Sequence, residues 1–424
     1  MSAPEIVHPL APEAIPGWIA TMATAFLNTS PSEDVAAWVQ RMERVWDPAR
    51  AWGARDRGRW VASLRTEPRT VTVPGWDGAT ELLAADALTN VTVAATHRRR
   101  GLLRTMLEDS LRAARARGDA VSILIAAEWP IYGRYGYAAA TTDSRYVLHP
   151  RRPGATVTAS EPGAPGRVRQ VDADEYARIA PAVFKRARAR RAGQVDRDAP
   201  WYDQAFGRDG WGRPHPPAPD NCLVRDGDDG PDGLLAWTPT REAPSQPPLG
   251  AISVRELFAA GHDAERDLWA YLTGLDLVDE ITLEDRPPDE AVRLWLPDAR
   301  TLVLAEQTDC LWLKLLDVAA ALTARGYAVP GELVLEVVDD SAVSVAGRYR
   351  LAADPATAHA ACEPTADAPD LTVSQPALAA AYLGGFPLRA RLATGEVTEH
   401  VPGALTRADA MLAGALAPWN ATEF

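Results

Sequence analysis

A short basic turn is the part of this sequence whose residue types and spacing have the clearest chemical use. The β-branched run Val91-Thr92-Val93 predicts a strand, and apolar residues three and four apart from Leu103 onward predict a helix. Between them lies Arg98-Arg99-Arg100-Gly101. At a helix N-terminus the first main-chain N–H groups lack a helical partner and the dipole favours negative charge, while a glycine leaves the backbone open to approach. The turn therefore predicts a pyrophosphate site, and the plain alternative is a solvated basic surface.

A tyrosine is the second candidate for chemistry. Tyr132 follows the apolar run 121–127, which by its length and composition predicts a buried strand. A phenol has a pKa of about 10, so Tyr132 can give a proton to a leaving group once its surroundings fix the direction of the O–H bond. From its position alone it is as well explained as a core residue. His97, beside three arginines, is the poorer base and is expected to brace the turn.

Composition narrows the class of protein. With 424 residues the chain is long enough for about three domains. Its formal net charge of −13 argues against binding nucleic acid through phosphates and is compatible with a cationic substrate. The three cysteines, Cys222, Cys310 and Cys362, are too few and too far apart for a disulfide framework or a cysteine-rich metal site. We expect no metal, no membrane segment and a cytoplasmic location, since the apolar stretch 17–27 is too short to span a bilayer.

Changes in composition and periodicity divide the chain into three units. The stretch 151–166 is rich in Pro and Gly and ends the first periodic unit. The second unit predicts a helix over 172–191, a hairpin around 226–230, a strand over 255–258 and a helix over 263–273. The third predicts a helix over 318–325, strands over 333–338 and 343–351, and a helix over 375–383. The predicted domains are residues 1–150, 151–305 and 306–424.

Four motifs taken together resemble one known family. They are Thr96-His97-Arg98-Arg99-Arg100-Gly101-Leu102-Leu103-Arg104, Ile131-Tyr132-Gly133-Arg134-Tyr135-Gly136-Tyr137, Leu311-Trp312-Leu313 followed by the segment 321–327, and the terminal Glu423-Phe424. The set is similar to that of the Eis (enhanced intracellular survival) acetyltransferases, in which the first motif is the coenzyme-A loop of the GNAT fold. The resemblance implies an α+β (mixed α/β) fold of tandem GNAT domains, the first active and the central one without a coenzyme loop, followed by a sterol-carrier-like domain. It also implies acetyl-CoA as cosubstrate and a homohexamer.

The resemblance also implies roles for individual residues. Tyr132 would be the general acid, and the base would be the α-carboxylate of Phe424, which must then be the true C-terminus. A bulge beside Val91 and Val93 would free a main-chain N–H for the thioester oxygen. The residues expected to bind the coenzyme are Val91, Thr92, Val93, Arg98, Arg99, Arg100, Gly101, Leu102, Leu103, Arg104, Ala127 and Glu128. The residues expected to line the amine site are Phe26, Asn28, Trp38 and Glu423.

The implied activity is N-acetyl transfer to a primary amine of a small polyamine, an aminoglycoside or a lysine side chain. Three positions depart from the family pattern. Leu103 is larger than the usual Gly or Ala, Asn28 replaces a carboxylate, and Trp129 stands where relatives have small residues. Trp129 either narrows the acyl channel or packs under the second domain. The rival hypothesis is a non-catalytic coenzyme- or lipid-binding regulatory protein on the same fold; Asn28 and Trp129 favour it, and Tyr132 and Phe424 favour the enzyme.

Overall fold

The structure is a computed structural model that describes residues 3–27, 32–160, 167–206, 221–241 and 249–424. Its strands are β1 (Glu5–Val7), β2 (Ala51–Asp56), β3 (Arg59–Pro74), β4 (Thr80–Val93), β5 (Val121–Ile125), β6 (Ala138–Ala139), β7 (Thr142–Leu148), β8 (Val168–Val171), β9 (Asn221–Gly227), β10 (Gly230–Arg241), β11 (Gly250–Ala259), β12 (Val278–Arg286), β13 (Leu302–Asp309), β14 (Leu311–Leu315), β15 (Gly331–Val338), β16 (Gly347–Asp354), β17 (His359–Pro364), β18 (Leu371–Ser374) and β19 (Val397–Glu399). Its α-helices are α1 (Ile15–Ala25), α2 (Ser32–Val45), α3 (Leu102–Ala116), α4 (Trp129–Tyr132), α5 (Ala173–Arg188), α6 (Ala199–Ala205), α7 (His262–Thr273), α8 (Val318–Thr323), α9 (Gln375–Ala381) and α10 (Ala404–Leu412).

The first sheet carries the predicted coenzyme turn. Its strand order across the described residues is β1-β2-β3-β4-β5-β14-β6, and β4 and β5 run parallel. The apolar face of α3 packs on this sheet through Met106, Leu107 and Leu111, against Leu64 and Leu124. Because consecutive apolar residues of α3 fall three and four apart, one stripe of the helix is buried, and the basic turn at its start lies beyond the C-terminal end of β4.

The second sheet is covered by a helix on each face. Its order in the described chain is β13-β7-β12-β11-β10-β9-β8. Alternating residues of β9 and β10 separate the two layers: Leu223 and Leu235 contact the α7 side, and Val224 and Leu234 contact the α5 side. The side chain of Asp172 caps α5 by accepting a hydrogen bond from the Glu175 N–H at 2.7 Å.

Two strands cross between the units that the sequence divides. β14 inserts between β5 and β6 of the first sheet, although it lies beyond the predicted boundary at 305. β7 precedes the predicted boundary at 150 but pairs with β12 and β13 of the second sheet. The domain boundaries 1–150, 151–305 and 306–424 therefore remain a prediction. The sheets do not follow them, because β14 and β7 each pair in a sheet on the other side of a boundary.

The third sheet has the order β17-β16-β15-β18-β19 within the described residues and packs directly on the first. A single apolar cluster joins Val71 and Leu313 of the first sheet to Leu335 and Leu378 of the third unit. Among the described residues no helix is both long and apolar enough to cross a bilayer.

The predicted mixed α/β class is confirmed, and one predicted strand is shifted. The strand predicted to begin at 343 begins at Gly347. The reason is a turn closed by Asp339, whose carboxylate accepts hydrogen bonds from the N–H groups of Ser341 at 2.9 Å and Val345 at 3.0 Å. Such short-range bonds to an aspartate compete with strand pairing.

Candidate active site

The predicted anion site lies at the N-terminus of α3. Gly101 is the N-cap residue with φ +81°, a left-handed conformation that glycine adopts without a steric penalty. A Cβ at Gly101 would approach no closer than 3.7 Å to the Arg104 guanidinium, so the backbone conformation, and not lack of space, selects glycine. The first helical bond runs from the Thr105 N–H to the Gly101 carbonyl at 3.0 Å, which leaves the preceding N–H groups of the turn without a helical partner.

The arginines of the turn point into solvent. Arg98, Arg99, Arg100 and Arg104 are exposed, and none has an ion-pair partner within the part of the chain that the structure describes. Arg112, two turns further along α3, is by contrast paired with Glu108 and Asp109. The unpaired charges and the open N–H groups together fit a pyrophosphate.

The base of the turn is fixed to the sheet. His97 contacts the Asp56 carboxylate through Nε2 at 3.0 Å and the Thr96 hydroxyl through Nδ1 at 2.8 Å, so it braces the turn as predicted. The hydrogen bond from His97 lowers the pKa of Asp56. Leu102 is buried in the core below the turn, and Leu103 is half-buried beside it. Their side chains therefore anchor the start of the helix on the core.

The bulge expected near Val91 is present at Asn90. Ser63 pairs with Thr92 and Arg65 pairs with Thr89, so β4 contains one more residue than β3 over this stretch. Asn90 has φ +55°. The Ser63 hydroxyl donates to the Asn90 carbonyl at 2.8 Å, and Arg65 Nε donates to Asn90 Oδ1 at 3.2 Å. These bonds hold the bulge open at the point where β4 runs toward the basic turn.

Tyr132 ends the short helix α4 and is 7% exposed. Its ring lies edge-on to Tyr137, with the centroids 6.1 Å apart, and the Tyr137 hydroxyl bonds to Ser122 Oγ at 2.7 Å. Burial, with the Glu128 charge as the next cause, raises the pKa of Tyr132 to about 12. Its hydroxyl has no hydrogen-bond partner among the described residues and keeps its proton at neutral pH.

The last residue of the chain lies against the bulged strand. The Thr89 hydroxyl donates to a main-chain oxygen of Phe424 at 3.0 Å, and Trp201 Nε1 donates to the Glu423 carbonyl at 3.1 Å. The Phe424 ring is partly buried against the cluster shared by the first and third sheets. The chain end therefore contacts the residue that immediately precedes the bulge residue Asn90.

The residues predicted for the amine site are less fully described. Phe26 follows α1 and is 51% exposed. Asn28 lies outside the described residues, as does the side chain of Trp38. Glu423 is exposed. Their roles in binding an amine stay a prediction.

The segment between β5 and α4 is open to solvent. Ala127 and Glu128 are exposed there. Trp129 is 62% exposed, and its ring meets Trp312 of the exchanged strand edge-on at 4.9 Å. The described residues contain no group of three or more His, Cys, Asp and Glu side chains arranged to hold a metal ion.

Sequence reasoning missed several residues of this site. Asn90 carries only a weak sequence signal for a bulge: among residues other than glycine, asparagine is the one that most readily adopts a positive φ. Thr89 and Arg65 carry no such signal. Their importance comes from pairing with residues that the sequence does not place nearby.

Comparison with known proteins identifies the domains of the chain. Residues 7–140 and 193–315 each match a family model described as an acetyltransferase (GNAT) domain, and residues 318–421 match a sterol carrier protein domain. An uncharacterized N-acetyltransferase of Streptomyces avermitilis is 38% identical over 97% of both chains. N-acetyltransferase Eis of Mycobacterium tuberculosis is 30% identical over 96% of this chain and 97% of that protein.

A solved structure gives the same result. The crystal structure of Eis1 from Mycobacterium abscessus superimposes with a TM-score of 0.82 and 27% identity, covering 100% of both chains. The predicted order of two GNAT domains and a sterol-carrier-like domain is confirmed, and the GNAT fold implies acetyl-CoA as cosubstrate. The chain belongs to the Eis family of GNAT N-acetyltransferases.

Proposed function

We propose that this N-acetyltransferase transfers the acetyl group of acetyl-CoA to a primary amine of a small polyamine, an aminoglycoside or a lysine side chain. Tyr132 serves as the general acid and the Phe424 α-carboxylate as the base. The observation that carries the proposal is the hydrogen bond from Thr89 to Phe424, since it places the chain end beside the bulge at Asn90.

Acetylation of an ammonium moves three protons. The nitrogen loses one proton before it forms the new C–N bond and a second as the amide forms, and the thiolate released when the C–S bond breaks gains one. Tyr132 is protonated at neutral pH because its pKa is about 12, so it can supply the thiolate's proton, and the second proton from the nitrogen returns it to the neutral form. An α-carboxylate has a reference pKa of about 3.5 and is charged at neutral pH. It holds the ammonium by charge and passes the first proton on through water.

The coenzyme is assigned to the turn at α3 and to the bulged strand. The exposed arginines and open N–H groups of the turn hold the pyrophosphate, and the Asn90 bulge frees a donor for the thioester oxygen. The exposed Ala127 and Glu128 complete the proposed cosubstrate set. Phe26, Asn28, Trp38 and Glu423 are proposed for the amine side, where aromatic faces and carboxylates hold a cation. The family resemblance also leads us to propose a homohexamer in the cytoplasm.

One assay tests the function. Thiol release is measured over a panel of polyamines, aminoglycosides and lysine peptides with acetyl-CoA and longer acyl-CoAs. We expect saturable release with at least one amine and acetyl-CoA, and loss of that release in Tyr132→Phe. If acetyl-CoA binds but no amine causes thiol release, the non-catalytic binding protein is favoured. The exposed Trp129, and Asn28 in place of the family's carboxylate, would then be the residues that distinguish this protein from the active enzymes.

A further inference from the structure

The C-terminal segment 419–424 is held by one stretch of the central unit, residues 194–201. The bonds run from Gln194 Nε2 to the Trp419 carbonyl (2.8 Å), from the Val195 N–H to Asn420 Oδ1 (3.2 Å), from Thr422 Oγ1 to the Val195 carbonyl (3.1 Å), from Arg197 Nη2 to the Ala421 carbonyl (3.0 Å), from Arg197 Nε to Thr422 Oγ1 (3.2 Å) and from Trp201 Nε1 to the Glu423 carbonyl (3.1 Å). We call this stretch the tail seat. Nearly every residue of the segment forms a hydrogen bond with the tail seat, so these bonds fix the course of the chain along the whole segment.

Arg197 is the centre of the tail seat. Its side chain is 3% exposed. The guanidinium lies over the rings of Trp201 at 3.9 Å and Phe184 at 4.2 Å, and it is paired with Glu256 at 2.6 Å. Tyr176 donates to the other oxygen of Glu256 at 2.8 Å. A planar guanidinium group that lies between aromatic rings and is paired with a carboxylate has little freedom to rotate.

The stability of the central unit does not by itself explain the buried guanidinium of Arg197. A buried ion pair adds little net stability over apolar residues of similar volume, so the pair with Glu256 alone does not explain a guanidinium here. Two of its nitrogens bond to the tail, at the Ala421 carbonyl and the Thr422 hydroxyl. The aromatic cluster around it also includes Trp419 of the tail, which stacks on Phe258 at 5.7 Å.

The distance from the seat to the chain end is short. Phe424 is the second residue after Thr422, and an extended chain covers at most about 7 Å over two residues. Once Arg197 fixes Thr422, the Phe424 carboxylate can reach only a small volume, and within it the Thr89 hydroxyl of the first sheet donates a hydrogen bond to a main-chain oxygen of Phe424.

We propose that the central GNAT domain serves as the holder of the C-terminal segment, and that Arg197 is the positioning residue that sets where the Phe424 carboxylate lies. This rests on the proposed function, in which that carboxylate takes part in acetyl transfer. It gives the second GNAT domain a role in the reaction without any contact with the coenzyme.

The main test is Arg197→Met, which keeps an unbranched apolar stem and removes the guanidinium. Hydrogen–deuterium exchange of the peptide covering 419–424 is measured together with kcat, with the KM of the amine and with acetyl-CoA affinity. We expect faster exchange in the tail, a kcat lower by roughly 100-fold because the carboxylate is displaced by about 1 Å or more, and unchanged acetyl-CoA affinity. Arg197→Lys keeps the charge and is expected to restore part of the turnover.

Arg225→Met is the matched control. The Arg225 side chain, on β9 of the second sheet, is as buried as that of Arg197 and is paired with Asp232 of β10 and Asp267 of α7, but no hydrogen bond joins it to the tail in the described residues. We expect it to lower stability without changing tail exchange or kcat. If Arg197→Met does not fold, Thr422→Val tests the same contact from the tail side, since it removes the acceptor of Arg197 Nε and the donor to Val195.

The outcomes separate this proposal from the proposed function. Unchanged tail exchange in both Arg197→Met and Thr422→Val would overturn the tail seat. A mobile tail with normal kcat would overturn the positioning role. If in that case a protein extended by one residue beyond Phe424 is inactive, the carboxylate still acts in catalysis; if the extended protein is also fully active, the role of Phe424 itself fails.

Discussion

Thr89 and Phe424 are 335 positions apart, yet the hydroxyl of Thr89 donates to a main-chain oxygen of Phe424 at 3.0 Å. Thr89 immediately precedes the bulge residue Asn90. One hydrogen bond therefore joins the chain end to the strand that leads into the predicted coenzyme turn. The proposed acid Tyr132, the bulge and the chain end come from distant parts of the sequence.

Removing the Thr89 hydroxyl should lower turnover. Hydrogen bonds to charged groups are worth about 1.5–3 kcal/mol, so we expect Thr89→Val to lower kcat roughly 10- to 100-fold with acetyl-CoA affinity unchanged. Thr89→Ser keeps the hydroxyl and is the matched control. Steady-state kinetics of the two variants decide the matter, and equal rates for Val and Ser would show that this bond has no catalytic role.

Tyr132→Phe should lower kcat by roughly 10²- to 10⁴-fold, because only the transition state uses the acid. Acetyl-CoA affinity, measured by calorimetry, should stay nearly intact. Tyr135→Phe, on the same short segment, is the control for a lost phenol. Turnover at the wild-type rate in Tyr132→Phe would make Tyr132 a packing residue.

The pH dependence of the reaction should reflect the raised pKa of Tyr132. Burial favours the neutral phenol, so its folded-state pKa of about 12 lies above the unfolded value of about 10. The neutral form is then fully present below pH 10, and its contribution to stability is lost only as the pH rises toward 12. We expect no falling limb in kcat from Tyr132 between about pH 8 and pH 10. The difference in tyrosinate absorbance between wild type and Tyr132→Phe gives the pKa directly; a transition below pH 10 would contradict the prediction.

The coenzyme turn can be tested by charge reversal. Arg99→Glu combined with Gly101→Val places a carboxylate beside the pyrophosphate and forces a β-branched residue toward φ +81°. We expect acetyl-CoA binding to weaken by several kcal/mol in calorimetry. Arg112→Glu changes the net charge of the protein by the same amount at a position on α3 away from the turn, and this variant should bind acetyl-CoA almost normally. Equal affinities for the two proteins would remove the turn from the binding site.

A single glycine added after Phe424 is the sharpest test of the tail. It moves the α-carboxylate by about 3.5 Å, whereas catalytic geometry tolerates about 1 Å. The extended protein should stay folded and bind acetyl-CoA but lose most acetylation. An N-terminal tag of similar size is the control, and turnover is compared at equal folded concentration. Equal rates would exclude the carboxylate as the base and make Glu128 the next candidate.

The local parts of this fold could be predicted from the sequence. The hairpin around 226–230 and the helix capped by Asp172 follow from residue types close together in the chain. The turn at Gly101 was also predictable, because strand, basic turn and helix are contiguous. In each case the interactions that decide the structure are short-range.

The long-range parts could not be predicted from pattern alone. Nothing in the apolar strand 311–315 says that it pairs with β5 and β6, which precede it by some 170 residues or more. Likewise, the sequence does not distinguish Arg197 from other arginines, because its partners Ala421 and Thr422 are far away in the chain. Contacts between distant segments depend on the assembled core, and a single sequence does not encode them in its local spacing.

The exchanged strand β14 has a consequence for the order of biosynthesis. While the ribosome is still making the central unit, β5 has no neighbour on one side, and its edge groups and apolar side chains stay uncovered. The first sheet closes only after residues 311–315 have emerged, when about three quarters of the protein has been translated. A gene fragment that ends near codon 150 therefore yields a nascent chain with an open sheet edge, prone to aggregation and to capture by chaperones.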